Sequence, residues 1–140
     1  NVQNRLVSAG EAEFGDATPQ LIQGLSFSVE QGRWFGRAEL LFIDRRQDYG
    51  RDYAQMIGVG YRVGRWTPFV SFSNYRQRVN PDYGPYEAHR TTSLVLRYDL
   101  DNSSAVKVQY DYWLDRSEAG FASQHGNAQL LTISYDRVFP

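Results

Sequence analysis

The chain has 140 residues, enough for one domain, and a formal net charge of −1, which implies no polyanionic partner and hence no nucleic acid. It contains no cysteine, which excludes disulfides, thiol catalysis and cysteine-based zinc sites. No run approaches the roughly 18 apolar residues of a transmembrane helix, yet aromatic residues make up 15% of the chain, as suits a strand-dominated fold.

Residues 1–19 form an N-terminal segment in which Leu6-Val7-Ser8-Ala9-Gly10-Glu11-Ala12-Glu13-Phe14 alternates only weakly. From residue 20 onward, apolar and polar residues alternate in seven separate stretches, and a period of two means strands with one greasy and one wet side. The first strand is predicted over residues 20–30, with Leu21, Leu25, Phe27 and Val29 opposite Gly24, Ser26 and Ser28. The second, 33–44, sets Trp34, Ala38, Leu40 and Phe42 against Arg37 and Glu39. The third, 53–63, sets Ile57, Val59, Tyr61 and Val63 against Gly58, Gly60 and Arg62. The fourth, 66–76, has Val70 and Phe72 opposite Ser71 and Ser73, and the fifth, 91–100, has Leu94, Leu96, Tyr98 and Leu100 opposite Ser93, Arg97 and Asp99. The sixth is the clearest: in residues 105–114, Val106, Val108, Tyr110, Tyr112 and Leu114 share one face, and Lys107, Gln109 and Asp111 the other, with Trp113 the exception. The seventh, 129–139, sets Leu131, Ile133 and Tyr135 against Thr132, Ser134 and Asp136.

Ten residues is long for a soluble strand but fits the roughly 9–11 residues of a tilted strand crossing a bilayer. The connections alternate in length. Short ones fall at Gln31-Gly32, Gly64-Arg65 and Asp101-Asn102-Ser103, and long polar ones at residues 45–52, 77–90 and 115–128. Short turns on one side and long loops on the other are the habit of bacterial outer-membrane barrels. A weak repeat, Gly32-Arg33-Trp34 and Gly64-Arg65-Trp66, marks two short turns, and it puts Trp34 and Trp66 at one membrane interface. The predicted fold is therefore all-β: an antiparallel up-and-down transmembrane β-barrel with seven visible strands. Residues 1–19 would be an N-terminal segment or extracellular loop, and residues 20–140 strands with short periplasmic turns and long extracellular loops. Outer-membrane barrels of one chain have even strand counts. Either the chain is therefore part of a larger barrel of about 16–18 strands, the preferred reading, or residues 5–14 supply an eighth strand that pairs with the last. No leader is visible at Asn1, which is read as cleaved or as lying elsewhere in a longer chain.

The last strand, Leu130-Leu131-Thr132-Ile133-Ser134-Tyr135-Asp136-Arg137-Val138-Phe139, resembles the C-terminal strand of proteobacterial porins, which ends in an aromatic residue with apolar residues at every second position before it. Tyr61-Arg62-Val63-Gly64-Arg65-Trp66-Thr67-Pro68-Phe69-Val70 likewise looks like a porin strand–turn–strand segment. The sequence departs from that pattern at Arg137, where an apolar residue is expected, and at Pro140, which follows the terminal Phe139. The resemblance implies a passive diffusion channel for small hydrophilic solutes or ions in a bacterial outer membrane, with no enzymatic activity and no cofactor. It implies outer-membrane lipid and lipopolysaccharide as surroundings, a possible homotrimer, and recognition of Tyr135 and Phe139 by the barrel assembly machinery.

The wet-face residues Arg37, Glu39, Arg62, Arg97, Asp99, Lys107, Asp111 and Asp136 are the pore-lining candidates. The alternative is that they pair with one another and fill a small barrel. The basic residues are fourteen Arg and a single Lys, and Arg45, Arg46, Arg51, Arg76, Arg78, Arg90 and Arg116 cluster at the long-loop ends. They are candidates for an extracellular rim that binds lipopolysaccharide phosphates, for a funnel toward anionic solutes, or for a solvated edge. His89 and His125 are read as exposed loop residues, since neither has the spacing of a catalytic triad or metal site. Gly58 and Gly60 lie mid-strand, where they ease packing or curvature. Two further readings compete with the channel: a small eight-stranded barrel for anchoring or adhesion, and a soluble ligand-binding barrel with the apolar faces turned inward.

Overall fold

The computed structural model describes residues 2–5, 19–45, 50–78, 86–118 and 126–139. They form β1 (Val2–Arg5), β2 (Pro19–Gln31), β3 (Trp34–Arg45), β4 (Gly50–Tyr61), β5 (Trp66–Arg78), β6 (Ala88–Asp99), β7 (Ser104–Asp115) and β8 (Ala128–Arg137). Each strand pairs antiparallel with its neighbours in sequence, giving one up-and-down sheet. The sheet is open: β8 makes no contact with β1 or β2. The seven long strands run 10–13 residues, twice the usual length in soluble proteins.

Alternation in the sequence becomes two chemically distinct faces because the pairing register keeps like with like. One row across the sheet reads Val29, Gly36, Val59, Val70, Leu94, Tyr110 and Leu131. The row one residue along reads Ser28, Arg37, Gly58, Ser71, Ser93, Asp111 and Leu130, on the other face. A one-residue slip in any pair would have mixed the two. The large apolar side chains stay open: Leu94 is 52% exposed and Ile133 70%. Among the described residues no large side chain is fully buried, and Ala88 and Ala105 are the only buried hydrophobic ones. The sheet therefore has no core of its own on either side.

Two-residue turns close two of the hairpins. Gly32 (φ 61°) and Gly64 (φ 59°) supply the left-handed backbone that tight hairpins require. The turn before β7 is built differently: one Asp101 carboxylate oxygen accepts the Ser103 N–H (2.7 Å) and hydroxyl (2.8 Å), and the other accepts the Ser104 hydroxyl (2.7 Å).

The strands are also staggered. Following one hydrogen-bonded row from Glu30 through Phe35, Gly60, Phe69, Val95 and Gln109 to Thr132 starts one residue from the end of β2 and finishes five from the end of β8. At the opposite end the same row lies 11 residues from the start of β2 and four from the start of β8. A drift of four to seven residues over six pairings corresponds to a strand slope of about 25–40°, taking ~3.3 Å per residue and ~4.8 Å per strand. A sheet needs that slope to curl into a barrel.

Three expectations change. The loop expected over residues 45–52 shrinks to residues 46–49, because β3 and β4 pair out to Arg45 and Gly50. The eighth strand expected over residues 5–14 is not seen pairing with the last: the described part of the N-terminus, β1, pairs with β2 through Arg5 opposite Pro19, and residues 6–14 lie outside the described residues. His89 is not in a loop but in β6, which begins at Ala88. His125 lies outside the described residues.

Candidate functional site: the polar face and the two rims

The register puts Arg37, Glu39, Arg97, Asp99, Lys107, Asp111 and Asp136 on the polar face, with Arg62 one residue past β4. They do not converge on one point. Arg97 holds Asp99 (Nε to Oδ1, 2.8 Å) and reaches Asp136 (Nη1 to Oδ2, 3.5 Å), with Lys107 directly opposite it on β7. Arg62 forks onto Glu30 at 2.8 and 3.3 Å. The Gln109 amide donates to both Asp111 oxygens, at 3.0 and 2.9 Å. The Arg62–Glu30 and Arg97–Asp136 pairs are exposed and the others half-buried, so they set the local potential of this face more than they hold it together.

Between these charges the polar face is narrow-shouldered. Ser26, Ser28, Gly58, Ser71, Ser73, Thr91 and Ser93 stand in adjacent rows. Arg37, Glu39 and Met56 are the larger side chains in those rows, and around them this face is shallow. Two aromatic groups interrupt the small side chains. The Phe35 and Phe69 rings lie parallel to within 2°, centroids 5.8 Å apart, and lean over Gly60 and Gly58. A methyl group at Gly60 would clash with the Phe35 ring, and one at Gly58 with the Phe69 ring. The glycine pair thus exists to admit the rings. Nearer the long loops, His89 is stacked between Tyr75 (4.8 Å) and Trp113 (3.7 Å), with Glu87 Oε1 3.6 Å from its Nδ1. Trp113, an exception to the sequence pattern, is one wall of that stack. The signal for both groups was parity: Phe35, Phe69 and Trp113 each fall in step with polar residues.

The apolar face is bounded by aromatic pairs. At the short-turn end Trp34 meets Tyr61 (4.7 Å) and Trp66 meets Tyr98 (4.5 Å), with Tyr135 continuing the edge opposite Val106. At the long-loop end Phe42 meets Tyr53 (5.1 Å). Sequence reading found the two tryptophans but not their tyrosine partners, which only the cross-strand register reveals.

Four arginines of the long-loop end fall on the apolar face. Arg51, Arg76, Arg78 and Arg90 share the parity of Tyr53, Phe72 and Leu94 and are exposed, with Arg51 opposite Arg78. Asp44 lies 3.6 Å from Arg51, and Arg76 rests 5.0 Å from the Tyr86 ring centroid. Arg116, one residue past β7, extends the ladder through its N–H to Ala88 O (2.8 Å). Arg45 ends β3, and Arg46 lies outside the described residues. Because Arg51, Arg76, Arg78 and Arg90 leave from the apolar face, they do not face the polar side. At the other end Phe139 is 74% exposed beyond β8, with the Arg137 guanidinium 5.3 Å from its ring.

No group of three His, Asp or Glu side chains that could hold a metal ion occurs among the described residues. Comparisons with protein-family models, with curated proteins and with solved structures find no match.

Proposed function

We propose that this chain forms part of the wall of an outer-membrane β-barrel channel through which small hydrophilic solutes diffuse. The observation that carries the reading is the continuous apolar band. Six strand spacings by the six-residue span from Trp66 to Phe72 give roughly 570 Å² of largely apolar wall at ~4.8 Å per strand and ~3.3 Å per residue, beyond which Gln55, Asn74, Arg76 and Arg90 enter the same face. That is at the upper end of the roughly 300–600 Å² of the largest patch on an ordinary soluble monomer. A sheet that is greasy on one side needs a cover, and acyl chains supply one without a second protein layer. The aromatic pairs at both ends of the apolar band stand where bilayer interfaces favour indole and phenol rings.

The polar face then meets water inside the barrel. Its small central residues favour a wide lumen over a filled eight-stranded one, and the open sheet favours closure by further strands. The outward-facing arginines suit phosphates of outer-leaflet lipopolysaccharide better than a funnel for solutes, since the forked guanidinium pairs with phosphate oxygens. Tyr135 and Phe139 remain the candidates for contact with the assembly machinery.

The test is reconstitution of the full-length protein in planar bilayers. Stepwise, ohmic conductance with heat-modifiable gel mobility is expected. A protein that stays monodisperse in water without detergent and conducts nothing would overturn the proposal.

A further inference from the structure

Aromatic rings facing a watery lumen serve neither the lipid interface nor a packed core, so Phe35 and Phe69 call for a separate reason. We propose that they form, with Arg37, a weak binding station for planar aromatic carboxylates on the channel wall; this deepens the channel reading and rests on it.

The two rings come from β3 and β5 and lean over the strand between them, so that one floor spans three strands. Gly60 is the partner of both Phe35 and Phe69, and Gly58 underlies the Phe69 ring. Without these glycines the rings would stand off the wall. Lying down, they offer aromatic faces to any solute that passes. The two rings are not equivalent. Arg62 sits 4.7 Å from the Phe35 centroid and is itself held by Glu30, so Phe35 is already covered by an occupied cation. The Phe69 face has no such cover among the described residues.

Arg37 supplies the charge. It stands opposite Gly58, which lies under the Phe69 ring, and its guanidinium is 6.0 Å from the Phe35 centroid. Among the described residues no carboxylate lies within ion-pair distance of it. Glu39 is one row farther away, opposite Met56. A flat ring with a carboxylate at its edge fits this arrangement. The ring stacks on Phe69, where aromatic contact adds to simple burial, and the carboxylate takes the planar fork of Arg37. Ser71, next to Gly58 in the same row, offers a hydroxyl beside the ring. An open wall gives weak, millimolar binding, which a channel needs so that the solute can leave.

The experiment measures benzoate, acetate and benzyl alcohol against the full-length protein in detergent by saturation-transfer NMR, and in planar bilayers by current fluctuation. Benzoate is expected to outbind both acetate and benzyl alcohol. Phe69→Leu keeps the apolar bulk and should weaken benzoate about three- to tenfold, leaving acetate unchanged. Arg37→Gln should weaken benzoate about tenfold and leave benzyl alcohol unchanged. Equal retention of benzoate and acetate by the wild type, or benzoate binding indifferent to both substitutions, overturns the station. The NMR arm reads binding whether or not current flows. Absent conductance with intact benzoate binding therefore sinks the channel and spares the site, and the reverse sinks only the site.

Discussion

Replacing Leu94 with arginine puts a charge in the middle of the apolar face, whereas replacing its neighbour Ser93 puts the same charge on the polar face. Leu94 is paired with Val70 and Tyr110 and is 52% exposed. It lies four residues from Tyr98 of the aromatic edge, about 13 Å along the strand at ~3.3 Å per residue. On the proposed membrane reading, that depth is near the midplane of a hydrocarbon band about 25 Å tall. An arginine there costs about 2–4 kcal/mol in an outer-membrane barrel, which is a roughly 30- to 700-fold shift in the folding equilibrium at ~1.4 kcal/mol per tenfold. Ser93→Arg faces water and small neighbours, so its cost stays within about 0.5 kcal/mol. The assay is urea-dependent folding of the full-length protein into phospholipid vesicles, followed by tryptophan fluorescence and gel mobility. If Leu94→Arg were harmless and Ser93→Arg damaging, the faces would be assigned the wrong way round, and the soluble barrel with inward apolar side chains would replace the membrane reading.

Gly60→Val should destabilise by about 1–3 kcal/mol, because the new side chain meets the Phe35 ring and forces it off the wall; Gly24→Ala, whose methyl would meet nothing nearer than 3.8 Å, is the control expected to be tolerated in the same urea titration. Trp66→Ala and Tyr98→Ala should each lower the urea midpoint, and a double-mutant cycle should return a coupling of about 0.5–1.5 kcal/mol, since the rings are 4.5 Å apart; a coupling near zero would mean they act independently. Hydrogen bonds from the Ser104 hydroxyl and then the Ser103 backbone and hydroxyl push the Asp101 carboxyl down from 3.8 to about 2. A depressed carboxyl stabilises the folded turn fully above its unfolded value and loses that contribution as pH falls toward 2. Wild type should therefore exceed Asp101→Asn in stability above about pH 4, with the gap closing as the pH approaches 2; a gap independent of pH would remove the carboxylate from the explanation.

The strands were legible because each turns over its hydrophobicity every second residue, and that signal survives without any knowledge of the partners. Val106 to Leu114 alone fixes which side of β7 is greasy. The bounds were less legible: β6 starts three residues earlier than the alternation indicates, because the backbone pairing of His89 with Tyr75 and Asp115 extends it beyond the clear pattern. That extension moved His89 from a loop to a ring stack. The wall residues could be placed on a face, but not grouped. Whether Arg97 meets Asp99, Asp136 or Lys107 depends on register between strands up to 39 residues apart, and one sequence carries no direct record of register. The reason for Gly58 and Gly60 was hidden for the same cause, since the rings above them belong to β3 and β5.

Among the described residues nothing pairs with the outer side of β8, and that side sets terms for any strand that joins it. Leu131, Ile133 and Tyr135 fix which way that edge faces, so an incoming strand must arrive in even step with them. Arriving one residue out, its own oily side chains would fall in line with Thr132, Ser134 and Asp136, and its hydrophilic ones with Leu131 and Ile133. Pairing at this edge thus follows a parity rule, and a mutation that inserts or deletes a single residue within β8 should be far more harmful than one that removes two.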